Sequence, residues 1–183
     1  MYFKQIGKIN TTQTLELAYK RAKELGITEI VVATTSGNTA EAALDICKDM
    51  SVVGVSYHAG FKTPFELTIT KETRSDLESR GAQIICATHA LSGIERGMSK
   101  KLPGMYPALL VSEVLRLFGQ GVKVAVEVAI MAADGGALSG KPCIAVGGSG
   151  KGADAALVLS PQCQDDFLSM KIHEIICKPN LME

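Results

Sequence analysis

Apolar residues recur along this chain in two rhythms, one helical and one of short β-branched runs, and their alternation predicts helices packed on a sheet. From Thr11 to Leu25 the apolar positions Leu15, Ala18, Ala22 and Leu25 fall at helical spacing. Asn10 or Thr11 can cap the start, and Gly26 can end the helix in the left-handed conformation. Glu29 to Ala33 predicts a strand, Asn38 to Lys48 a helix with Ala43, Leu44 and Cys47 inward, and Val52 to Tyr57 a second strand. Lys71 to Arg80 predicts a short polar helix, Gly81 a turn, and Gln83 to Ala87 a third strand rich in isoleucine.

Pro107 to Phe118 sets Leu110, Val111, Val114, Leu117 and Phe118 on one face of an amphipathic helix that Gly119-Gln120-Gly121 terminates. Val122 to Ala133 has the β-branched content of a strand, but its length and the Asp134-Gly135-Gly136 stop favour a buried helix. Pro142 to Val146, Ala155 to Leu159 and Ile172 to Cys177 complete the strands, the last closed by Pro179. Helices between strands mean βαβ crossovers and a largely parallel sheet. Ala59–Thr70 and Glu95–Gly104 are long irregular loops, of the kind that serve as lids.

Ligands of an open parallel sheet bind beyond the carboxyl ends of its strands, so the residues after each strand carry the candidate chemistry. After the first stand Thr34, Thr35, Ser36, Gly37, Asn38 and Thr39, where a helix start offers free amides, a positive dipole end and hydroxyl donors to an anion such as phosphate. An ordinary turn in which Ser36 or Asn38 only caps the helix is the competing reading. After the second come Tyr57, His58, Gly60 and Phe61, and after the third His89, Ser92 and Gly93. After the fourth, Gly148, Ser149, Gly150 and Lys151 combine a glycine nest with one positive charge; a flexible turn explains the glycines equally well.

His58 and His89 can meet on this rim to bind a ligand or move a proton, or simply fix their loops by backbone hydrogen bonds. Tyr57, Phe61 and Met131 offer flat apolar contacts, with core packing the alternative, and Asp134 is either a ligand contact or a polar helix end. The glycine-rich loop is not a Walker A motif, because Ala145 and Gly152 stand where glycine and a hydroxyl residue are needed. Its dinucleotide-like Gly148-x-Gly150-x-x-Ala153 is followed by a strand pattern instead of a helix, which excludes the Rossmann reading. No metal-ligand spacing and no Gly-x-Ser-x-Gly nucleophile turn occurs.

At 183 residues, 46% hydrophobic and 21% charged, the chain suits one domain over residues 1–183. Nineteen basic residues balance nineteen acidic ones, so nucleic acid is not an expected partner. The longest apolar stretch, Val124 to Ala133, is broken by Glu127 and too short to span a bilayer, and Met1–Gln5 does not resemble a signal peptide. No membrane association and a cytoplasmic location are therefore expected. Five cysteines without a Cys-x-x-Cys pair read as reduced, with Cys86, Cys143 and Cys177 in strands.

The run Ile30–Ala40 resembles the strand, phosphate loop and helix start of the pyruvate kinase C-terminal domain, and Gly147–Gly152 looks like a shortened second effector loop of it. Essentially the whole chain is similar to stand-alone archaeal and bacterial proteins of that fold, on Tyr57–Phe61, Leu91–Arg96 and Met131–Asp134. The resemblance implies an α/β fold of three layers, α/β/α, with a mostly parallel mixed sheet of about five strands and an antiparallel last strand. It also implies flavin mononucleotide (FMN) as an occupant of the rim. It does not imply a kinase, because the phosphotransfer site of pyruvate kinase belongs to a barrel domain that this length cannot contain.

The expected function is thus a binding domain for a phosphorylated small molecule, FMN first, with phosphate on Thr34–Thr39, the ring over Tyr57, His58, His89 and Met131, and Lys151 above. The alternatives are a flavin-dependent enzyme using the same pocket, or an effector-binding regulatory subunit. Exposed apolar faces on an edge strand or on Pro107–Phe118 leave room for a homo-oligomer.

Overall fold

Strands that are apolar at successive positions have both faces covered, and consecutive residues of this sheet feed opposite layers. Ile30 and Val32 pack into one core while Val31 packs into the other. The computed structural model describes residues 1–182.

The strands are β1 (Tyr2–Phe3), β2 (Glu29–Ala33), β3 (Ser51–Tyr57), β4 (Gln83–Ala87), β5 (Cys143–Gly147), β6 (Ala155–Ser160) and β7 (Lys171–Pro179). The helices are α1 (Thr11–Leu25), α2 (Asn38–Ile46), α3 (Lys71–Ser79), α4 (Glu95–Met98), α5 (Pro107–Arg116) and α6 (Gln120–Asp134), with 3-10 turns at Lys8–Asn10 and Gln164–Ser169. Leu15 and Ala18 of α1, Ala40 and Ala43 of α2 and Leu77 of α3 cover one face. The buried α6, with Val111 and Leu115 of α5, covers the other. This is the expected three-layer α/β fold.

The sheet has seven strands in the order β1-β7-β6-β5-β2-β3-β4. Four parallel strands, β5, β2, β3 and β4, form one half. β6 runs antiparallel to β5, and β7 antiparallel to β6. The last strand thus has the expected antiparallel pairing, while the count exceeds five. Part of the excess is β1, where Tyr2 and Phe3 pair with Lys178 and Pro179 of β7. A two-residue strand carries no periodicity, so its sequence gave no sign of it.

The Val122–Ala133 stretch is helical and buried, as its length indicated. Pro107–Phe118 is helical to Arg116, and most of its apolar face is exposed: Leu110, Val114, Leu117 and Phe118 face outward, while Val111 and Leu115 pack against the core. Amphipathic spacing identifies a face without saying what covers it. The Glu95–Gly104 segment contains α4, a single helical turn. No helix among the described residues is long and apolar enough to cross a membrane.

Chain order explains where a cleft forms. From β2 the chain moves outward through β3 to β4, then returns to the other side of β2 as β5. The loops after β2 and β5 therefore diverge, which opens a crevice at the carboxyl ends of adjacent parallel strands.

Candidate functional site

A cleft of about 1070 Å³ occupies this crevice. Its lining includes Thr34, Thr35, Ser36, Asn38 and Thr39 after β2, Tyr57 and Phe61 after β3, His89 after β4, and Gly148, Gly150 and Lys151 after β5. Three helices begin here too: Thr11 and Thr12 open α1, Asn38 and Thr39 open α2, and Gln120 opens α6. A smaller cavity of about 420 Å³, between Leu25–Glu29 and His173, shares none of these residues.

The turn after β2 is shaped by Gly37, whose φ of 105° lies in the left-handed region. A Cβ at Gly37 would stand 2.6 Å from Thr73 Cγ2, so α3 closes the back of this turn and Gly37 itself does not line the cleft. Thr34, buried, accepts the Ala40 amide on Oγ1 at 3.4 Å and so caps part of the helix start. The amides of Ser36, Gly37, Asn38 and Thr39 have no hydrogen-bond partner among the described residues. No side chain caps α2 through its N-cap position. The amide donors and the positive end of α2 are thereby left to the cleft.

The turn after β5 is held from behind. Asp154, fully buried, accepts the Gly7 amide at 2.7 Å and the Ser149 amide at 3.2 Å. Ser149 is turned toward this carboxylate and is absent from the cleft wall, while Gly148, Gly150 and Lys151 remain on it. Gly147 admits the start of α6: a Cβ there would lie 2.1 Å from the Gly121 carbonyl oxygen.

Several further expected residues stand near the cleft without lining it. His58 packs edge-on against His89, with ring centroids 5.6 Å apart. The Gly60 amide donates to Glu66 O at 3.1 Å and closes its own loop. The Ser92 and Gly93 amides both donate to His89 O, fixing the turn that presents the imidazole. Asp134 is not at the site: its Oδ1 accepts the Gln164 amide at 2.9 Å, at the far end of α6. The polar-helix-end reading of Asp134 is the one observed. Met131, one turn earlier, is buried and lines the cleft.

Rings make one wall. Tyr57 and Phe61 have centroids 4.3 Å apart, Phe61 stacks on His89 at 4.8 Å, and the Arg96 guanidinium lies 5.5 Å from the Phe61 ring centre. Nδ1 of His58 and of His89 is buried without a partner. Burial pushes the His89 imidazole down to about 4; Glu127 opposes that shift, and Lys123, Arg96 and His58 reinforce it. His89 is therefore neutral at physiological pH.

The polar face of α6 was not anticipated. Gln120, Lys123, Val124, Glu127, Val128 and Met131 lie on the cleft at helical spacing. Lys123 and Glu127 form an ion pair with side chains only 3% exposed. The other carboxylate oxygen, Oε1, accepts the Leu91 amide at 3.0 Å. Burial lowers the Lys123 pKa, and Glu127 offsets part of that. Charged residues spaced four apart inside an apolar run are the signal that the sequence carries for this pair.

Cations dominate the wall. Lys8, Lys62, Arg96, Arg116, Lys123 and Lys151 face a single carboxylate, Glu127, in a chain whose formal net charge is zero. Low-dielectric walls lined by one sign of charge concentrate ligands of the other. The cysteines take no part in this wall; burial raises the Cys143 thiol to about 12 and those of Cys47 and Cys177 to about 11.

Together these features define a three-layer α/β domain with a cation-lined cleft at its topological switch point. Residues 12–159 match the family described as pyruvate kinase, alpha/beta domain, and the chain belongs to that family. Among solved structures it is similar to Cryptosporidium parvum pyruvate kinase in complex with ADP, at 17% identity and a TM-score of 0.41. That match covers 88% of this chain and 23% of that one. The chain spans less than a quarter of that kinase.

Proposed function

We propose that the cleft binds a phosphorylated small molecule with a planar ring, FMN being one that meets both requirements, and that the chain has no pyruvate kinase activity. The observation carrying this reading is the set of unpartnered amides at Ser36–Thr39, opening into a wall of six cations and one carboxylate. A phosphate there gains backbone donors, the dipole of α2 and hydroxyls of Thr35, Ser36 and Thr39.

The remaining residues fit a flavin. The cleft volume of about 1070 Å³ suits a nucleotide-sized ligand, and Tyr57, Phe61, His89 and Met131 provide an apolar wall for the ring. The orphaned Nδ1 of His89 supports the reading, because a buried polar atom without a partner is rare where nothing is meant to bind. Lys8 and Lys151 would neutralise phosphate charge from the side of the β5 loop. When bound, FMN supplies reversible one- or two-electron transfer. The neutral His89 supports an enzymatic variant of this reading, in which it hydrogen-bonds a substrate beside the ring. A role as an effector-binding subunit would use the same pocket.

The test is the spectrum and mass of whatever co-purifies, followed by calorimetric titration with FMN, riboflavin and inorganic phosphate. Binding of FMN well ahead of riboflavin, and its loss in Ser36→Ala/Thr39→Ala with the circular dichroism spectrum retained, is the expected result. Undiminished FMN affinity in that variant overturns the phosphate assignment. Bleaching of the bound flavin by reduced nicotinamide separates the enzyme from the binding module.

A further inference from the structure

The Lys123–Glu127 pair is buried at the wall of the cleft. A buried ion pair contributes little net stability, and this one lies on the floor of the cleft among apolar residues of α6. Its hydrogen-bonding capacity is also incompletely used. Lys123 Nζ has three N–H donors and gives one to Glu127, while the two Glu127 oxygens receive only Lys123 and the Leu91 amide.

We infer that Lys123 and Glu127 together recognise the edge of a cyclic imide, Lys123 donating to a ring carbonyl and Glu127 accepting the adjacent ring N–H. This rests on the ligand reading above and extends it from the phosphate to the ring. Charge decides against a second phosphate or carboxylate here. The pair is neutral as a whole, so a full anion would gain from Lys123 and be repelled by Glu127 at similar distance. A neutral group that offers an acceptor beside a donor satisfies both partners. The pyrimidinedione end of a flavin has that arrangement, and so does uracil.

Neighbouring groups favour a flat edge over a flexible polar chain. Val124 and Val128 flank the pair on the same helical face, and Met131 follows one turn on. Tyr57, Phe61 and His89 supply the stacked rings on the cleft wall. The Leu91 amide pins Glu127 Oε1, so the carboxylate keeps one orientation whether or not a ligand is present. A carboxylate already oriented loses little freedom on binding, which makes it a discriminating acceptor.

The test compares FMN with its N3-methyl analogue on the unaltered protein, so no variant need fold. Methylation removes the N–H and leaves phosphate, ribityl chain and ring intact. Affinity for the analogue is expected to fall by about tenfold or more, since it leaves a buried acceptor unpaired. Equal affinity for the two overturns the inference. In Lys123→Met/Glu127→Gln, FMN and its analogue should bind within about twofold of each other. A preserved preference for FMN in that variant also overturns it. If FMN does not bind at all, the flavin reading fails on its own, and the edge is read from uridine and cytidine monophosphates. A preference for uridine then upholds the inference and equal affinity overturns it.

Discussion

Asp154 Oδ2 accepts the Gly7 amide at 2.7 Å across nearly the whole length of the chain, and the same carboxylate takes the Ser149 amide. One buried anion therefore ties the segment before α1 to the loop after β5. Asp154→Ala should lower unfolding stability by about 2–4 kcal/mol, because two amides lose a charged acceptor in a buried site. Urea denaturation measures it. Asp154→Asn, which keeps an acceptor oxygen, should lose less.

His89 links stability to acidity. Its imidazole is held down to about 4 from an ordinary 6.5, so between those values the unfolded chain binds a proton that the folded chain does not. Its contribution makes the protein less stable as the pH falls through that window, with the loss complete below about 4. Full burial would give somewhat over 3 kcal/mol at 1.36 kcal/mol per unit; partial exposure reduces this to about 1–3 kcal/mol. Denaturant midpoints across pH 4 to 7 should show a shallower slope for His89→Gln than for the native protein.

Breaking the α6 ion pair from one side should be worse than removing both charges. Lys123→Met leaves Glu127 buried and unpaired and should destabilise by about 3–5 kcal/mol. Lys123→Met/Glu127→Gln retains an acceptor for the Leu91 amide and should recover most of that loss. Equal destabilisation in the single and double variants would show that the charge interaction is immaterial to stability.

Gly37→Ala should strike fold and site at once. The new Cβ meets Thr73 Cγ2 at 2.6 Å with φ at 105°, a combination expected to destabilise by about 1–3 kcal/mol. Because Gly37 orients the first amides of α2, phosphate affinity should fall more than in a control such as Gly81→Ala, which has a positive φ but open space around it. Thermal shift with and without phosphate separates the two effects.

The β2 turn and the β5 loop were legible because glycine and hydroxyl residues follow β-branched runs at a spacing that fixes both structure and chemistry. Thr34 through Thr39 could be placed for that reason, with Gly37 the member that turns away. The α6 face was not legible. Lys123 and Glu127 sit inside a segment whose hydrophobicity dominates any reading of pattern, and pairing across one turn appears only once the helix is known to pass the cleft. Asp134 and Ser149 illustrate the reverse error. Each stands at a promising position in the sequence, yet the Asp134 carboxylate accepts the Gln164 amide, the Ser149 amide is held by Asp154, and neither residue lines the cleft. The exposed face of α5 belongs to a third kind: its periodicity is legible in the sequence, and whether anything covers it is not.

The reversal of direction at β6 divides labour across the sheet. No residue of β6, β7 or β1 contributes to the cleft wall, so the cleft lies wholly on the side of β6 that holds β5, β2, β3 and β4, although β7 and β1 beyond it run in the same direction as those four strands. Substitutions within Lys171–Pro179 can therefore alter stability without replacing any residue that lines the cleft.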